Sequence, residues 1–113
     1  MTDLDQVGTK LRASIKSAQK SGYKIAPSVM RGRIGGEACC CALGSMVIDL
    51  PTDRMFTWST ACERLGITMN QALSLAIGFD MRRFTAQDLP DVYELSFFNL
   101  GRKLRLEIMD GSL

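Results

Sequence analysis

The chain has 113 residues, 46% of them hydrophobic, with 14 Lys and Arg against 12 Asp and Glu and no histidine. That length makes one domain, residues 1–113, which buries roughly two-thirds of its unfolded surface. A formal charge of only +2 gives bulk electrostatics no reason to seek nucleic acid or acidic lipid, so such a partner needs a local patch.

Without histidine or a C-x-x-C pair, no metal ligand set stands out, and neither metal nor cofactor is expected. The acidic start Met1-Thr2-Asp3-Leu4-Asp5 resembles neither a signal nor a transit segment, and four cysteines that read as reduced thiols place the chain in the cytoplasm.

Leu4, Val7, Leu11, Ile15 and Ala18 recur at three and four residues. This spacing predicts an amphipathic helix over about 3–20, capped by Thr2 or Asp3 and ended by Ser21-Gly22. Lys10, Arg12, Lys16 and Lys20 on its outer side form a solvated basic stripe. Residues 23–29 alternate loosely, and Pro27 restricts them to an edge strand or an extended connection.

Glycines make Met30 to Glu37 a loop. Arg31, Arg33, Gly35 and Gly36 lead into the start of the next predicted helix, where free N–H groups and the dipole favour an anion such as a phosphate or nucleotide. The Walker and G-x-G-x-x-G spacings are absent and Glu37 competes for the same dipole, so a plain surface loop is the preferred reading.

From Ala38 to Ile48 the chain is almost uniformly apolar, and Pro51 closes the run. Ala, Leu and Met favour a helix, which predicts a buried central helix over 37–50 that the other helices wrap. At about 11 residues it falls short of the roughly 20 that cross a bilayer. On such a helix Cys39, Cys40 and Cys41 diverge by about 100° each and do not converge on an ion. They read as inert thiols, with a bridge from Cys62 to one of them left open.

A third helix is predicted from Thr57 or Ser59, with Trp58, Ala61, Cys62 and Leu65 on one side and Gly66 at its end. A fourth runs from Thr68 or Met69 to Gly78, Phe79 docks on the core, and 80–84 form a link. The last helix starts at Thr85 or Asp88 with Pro90 in its first turn, and passes through Phe97, Leu100 and Leu104 to Ile108 despite Gly101. In the alternative, the helix ends near Gly101 and residues 104–108 alternate as a strand that pairs with 23–29 or with another subunit. The expected fold is therefore mainly α, a compact four- to five-helix bundle around a buried central helix, with at most one short two-stranded pairing.

Residues 60–75 resemble the helix-turn-helix of bacterial repressors, Cys62 standing at the small position, Gly66 at the turn, and Ala72 and Leu75 at the buried pair. The resemblance implies that Thr68, Asn70, Gln71 and Ser74 face the major groove, with Arg64, Arg82 and Arg83 at the flanks. From Ile67 to Met81 there is no Lys or Arg to meet phosphates, which disfavours nucleic acid. The order of Gly22-Tyr23, Cys41-Ala42-Leu43-Gly44 and Leu65-Gly66 also resembles a loose class of small uncharacterised bacterial and phage proteins. That likeness implies a helical scaffold and brings no activity with it.

No base stands beside a candidate nucleophile, so the chain is not expected to be an enzyme. The expectation is a small cytoplasmic regulator or inhibitor that works through protein–protein contacts, its partner unnamed by the sequence. The last helix holds more apolar residues than one face can bury, and Phe97, Phe98, Leu104 and Leu106 are the expected homodimer interface.

Overall fold

The computed structural model describes residues 3–27, 30–50, 57–80 and 83–113. Four α-helices and a small sheet follow in the order α1 (Leu4–Lys20), β1 (Lys24–Ile25), β2 (Gly32–Ile34), β3 (Glu37–Cys40), α2 (Thr57–Leu65), α3 (Met69–Asp80) and α4 (Leu95–Met109). Short 3-10 helices occupy Gly44–Val47 and Ala86–Asp88. The protein is mainly helical, as the periodicity predicts. No described helix is long and apolar enough to cross a membrane.

Asp3 caps α1, its carboxylate accepting the N–H groups of Asp5 and Gln6 at 3.0 and 3.4 Å, which satisfies two of the donors that a helix start leaves over. Of the predicted stripe, Val7, Leu11, Ile15 and Ala18 are buried and Leu4 is half-buried. Gly22 then takes φ +91° and turns the chain into β1. Pro27 follows that strand, which lies at the sheet edge because the strand order is β1-β3-β2.

The central helix over 37–50 is the main correction. Gly35 and Gly36, with φ of +58° and +84°, make a tight turn whose positive φ values suit glycine and match the twist of a hairpin. The turn folds β2 back antiparallel on β3, with Gly32 opposite Cys39 and Ile34 opposite Glu37. On its other edge β3 pairs in parallel with β1, Lys24 opposite Cys39. The chain then bends through Cys41–Leu43 into the 3-10 helix. Cys39 to Ser45 are all buried nonetheless. A short run apolar on every side marks a central strand as well as a buried helix, and here the glycine pair decides between them.

Helices α2 and α3 lie where the pattern puts them, joined through Gly66 at φ +69°. Thr68 and Gln71 form a reciprocal cap at the start of α3: the Thr68 N–H donates to Gln71 Oε1 at 2.9 Å, and the Gln71 N–H to Thr68 Oγ1 at 3.2 Å. α3 runs past Gly78 to Asp80. The cap predicted at Thr85 is present, as a reciprocal box with Asp88, but it closes only the 3-10 helix, and Pro90 opens a turn that the Tyr93 N–H closes. α4 begins later, at Leu95, and residues 102–109 are helical.

α3 and α4 cross at two glycines. A Cβ on Gly78 would strike the carbonyl of Phe98, and one on Gly101 the carbonyl of Leu75 and, at 2.9 Å, the amide nitrogen of Phe79. Backbone therefore meets backbone, and Gly101 in mid-helix is what permits it. Buried Ser74 ties the helix starts together, donating to the Asn70 carbonyl at 2.6 Å and accepting the Glu94 N–H at 2.9 Å. Further along, Arg105 donates to the Phe79 carbonyl at 2.9 Å. The contacts advance together, so the two helices run in the same sense. Phe79, Phe97, Phe98 and Leu104 pack around the crossing, with Leu11, Ile15, Leu43 and Leu75 completing the core.

Candidate functional site

The arginine-glycine segment is a β-hairpin, so the helix N-terminus expected to hold an anion does not exist there. Arg31 donates to the carbonyls of Val47, at 3.2 Å, and Leu50, at the exit of the 3-10 helix. A cation is well placed at the carbonyl end of a helical turn. Arg33 donates to the Gly36 carbonyl at 2.8 Å and is otherwise exposed, as are Gly35 and Gly36. What the fold builds instead is a depression of about 290 Å³ on the sheet, lined by Tyr23, Arg31, Gly32, Arg33 and Ala38.

All four cysteines are free and buried. Burial, followed by the charges of its cysteine neighbours, pushes the Cys40 thiol up to about 12. Burial also raises Cys41 to about 11 against the N–H of Gly44, which donates to its sulfur at 3.4 Å. Cys62 is raised as well, again by burial. Thiolates are the reactive form. A thiol-exchange reagent at pH 8 is therefore expected to leave the native cysteines unmodified and to titrate all four once guanidinium unfolds the chain. Stoichiometric labelling of one of them with the circular dichroism intact would contradict this.

At the helix-turn-helix resemblance, the pieces are present but several side chains are engaged elsewhere. Gln71 caps α3, and its Nε2 donates to the Glu94 carboxylate at 3.1 and 3.2 Å. Ser74 is buried under Glu94. Arg64 is turned away, donating to both oxygens of Asp49 at 2.7 and 3.1 Å and to the Met46 carbonyl at 2.7 Å. This ion pair holds the Asp49 carboxyl below its usual range and the guanidinium above its own. Thr68, Asn70 and Arg83 are exposed, and Arg82 lies outside the described residues. The face offered to a groove thus carries an acid, Glu94, beside α3.

The expected dimer interface also needs correction. Phe97, Phe98 and Leu104 are buried within the chain, because α3 covers them at the glycine crossing. Leu106 is 62% exposed, Leu95 49% and Met109 57%. At about 100° per residue these three fall within some 60° of one another on the outer side of α4.

One further feature, a groove of about 610 Å³ between α1 and α4, leaves only a faint mark on the sequence. Gly8 forms part of its floor beside Leu100, and Thr9, Ser96, Asn99 and Lys103 line it. Arg12 lines it too, bonded to both oxygens of Glu107 at 2.8 Å. That fork holds Glu107 below the ordinary glutamate range. Gly8 inside an otherwise regular amphipathic helix was the only available signal. Comparison of the chain with protein-family models, with curated proteins and with solved structures gives no match.

Proposed function

We propose that the protein is a small binding module that acts through protein–protein contacts and pairs with itself through the outer face of α4. The observation that carries this reading is the line of exposed Leu95, Leu106 and Met109 on a helix whose inner face is already fully used. Leu95 and Leu106 stand 11 residues apart, about 16 Å along the axis. In an isologous pair, residue i meets j while j meets i. Two antiparallel α4 helices centred between Leu100 and Gly101 set each Leu95 against Leu106 of the second copy. Asn99, exposed, and Arg102, whose guanidinium lies over the Phe98 ring at 5.3 Å, share that face between the two leucines. They would sit at the centre of the contact, with exposed Lys103 at its border. Val92, 66% exposed just ahead of α4, extends the apolar surface.

Light scattering behind size exclusion tests the reading. The wild-type chain is expected to elute as a dimer at about 100 μM, and Leu106→Glu as a folded monomer with its dimer affinity lowered at least tenfold. Leu95→Glu should match it. A monomeric wild type at that concentration, or a Leu106→Glu dimer of unchanged affinity, would overturn the proposal.

A further inference from the structure

Residues 6–36 hold seven of the 14 basic side chains and none of the 12 acidic ones. The remainder of the chain is therefore net acidic, and the modest total of +2 conceals a strong segregation. Lys10 and Arg12 belong to the first half of α1, where Glu107 holds Arg12; the other five lie in its second half and in the sheet segment. α1 delivers exposed Lys16 and Lys20 to the turn that starts β1, the Tyr23 N–H closes that turn on the Ala18 carbonyl at 3.0 Å, and Lys24 and Arg33 lie exposed on the two edge strands. Among the described residues, no carboxylate pairs with any of these four cations or with Arg31.

The depression on the sheet brings Arg33 together with Tyr23 and Arg31. Lys24 is beside Cys39 and Arg33 beside Ala38, so Tyr23, Ala38 and Arg33 form one row across the three strands, with side chains on the same face. Arg31 falls two residues before Arg33, hence also on that face. A half-buried phenol ring thus lies across a small alanine from Arg33, and Arg31, its guanidinium held by the Val47 and Leu50 carbonyls, also lines the depression. Lys24 and Glu37, the first acid after the run, both point to the opposite face.

We infer that this surface binds single-stranded nucleic acid, Lys16, Lys20 and Arg33 meeting phosphates and Tyr23 stacking an unpaired base in the depression. Cations that track a backbone around an aromatic platform are how sequence-tolerant single-strand binders work. A membrane fits less well. Of the exposed large apolar side chains among the described residues, Ile34 alone belongs to the sheet; the others belong to α3, α4 and the segment leading to α4.

The test is fluorescence anisotropy of the whole protein with labelled oligo-dT and oligo-U of about 12 nucleotides, a duplex of equal length, and vesicles containing phosphatidylserine. Both single strands should bind at low salt, with affinity falling log-linearly as salt rises. Lys20→Ala or Arg33→Ala, both at exposed positions, should each reduce the slope by about 0.7, the value of one single-strand phosphate. Tyr23→Ala should weaken binding roughly tenfold at unchanged slope, and Tyr23→Phe should restore it. Leu106→Glu should bind as the wild type does, which keeps this inference separate from self-association. No binding at low salt overturns it. So does duplex or vesicle binding as tight as single-strand binding, and so does full affinity in Tyr23→Ala.

Discussion

Gly101→Ala is expected to lower the melting temperature by roughly 10–20 °C, the opposite of what helix propensity dictates. In an open helix this change gains about 0.5–1 kcal/mol. Here the new methyl meets the Leu75 carbonyl and the Phe79 amide nitrogen, both backbone atoms of α3 that cannot rotate out of the way. The helices must separate, and Phe79, Phe97, Phe98 and Leu104 then lose the close packing of a solid interior. Overpacking a core costs about 1–3 kcal/mol and more where the neighbour is rigid. The steric loss exceeds the propensity gain, for a net of about 2–4 kcal/mol in a domain whose whole stability is of order 5–15 kcal/mol. Gly78→Ala should behave alike, its methyl striking the Phe98 carbonyl. The double variant should lose less than the two singles together, because helices already parted admit the second methyl. Circular dichroism melts of the four proteins decide the matter. A Gly101→Ala chain as stable as the wild type would show that α3 and α4 do not approach so closely.

This crossing also marks the limit of what the sequence reveals. Periodicity placed α1 and α2 because each has an apolar stripe on one side and polar residues on the other, whereas α3, apolar on most sides, is marked by the Gly66 turn and the restart at Thr68 or Met69. It failed between Glu37 and Leu50, where apolar residues on all sides leave no period to detect. Only the turn chemistry of Gly35-Gly36 distinguishes hairpin from helix there, and those glycines read equally well as the lead into a helix. Phe98 and Leu104 looked surplus because nothing local shows that α3 comes near enough to bury them. Gly78 and Gly101 are the trace of that approach, legible once the two helices are side by side. Of the site residues, Arg31 and Arg33 were conspicuous by type, whereas their alignment with Tyr23 depends on the β1-β3-β2 order, a long-range property with no local signature. Gln71 and Ser74 look free on a bare helix and are engaged by Glu94, some 20 residues later.

Gly44→Ala should be the second severe substitution, and for a reason specific to the segment that replaced the expected central helix. Gly44 has no positive φ, so conformational freedom is not what demands glycine there. A Cβ at this position would overlap the Met30 carbonyl and press on Cys40 Cβ at 3.1 Å. Three parts of the fold meet at the short 3-10 helix that Gly44 opens. Ser14 of α1 donates to Met46 Sδ at 2.7 Å, Arg64 of α2 donates to the Met46 carbonyl, and Arg31 holds the carbonyls of Val47 and Leu50. Displacing Met30 moves its neighbour Arg31 and loosens the sheet from both helices, for an expected loss of about 3 kcal/mol. Gly36→Ala supplies the contrast. There φ is +84° with nothing within 4 Å of the added methyl, so the cost is local strain of about 1–2 kcal/mol in an exposed turn. Urea unfolding should therefore give a lower midpoint for Gly44→Ala than for Gly36→Ala. The reverse order would mean that the hairpin turn, and not the contact of Gly44 with Met30, fixes the sheet against the helices.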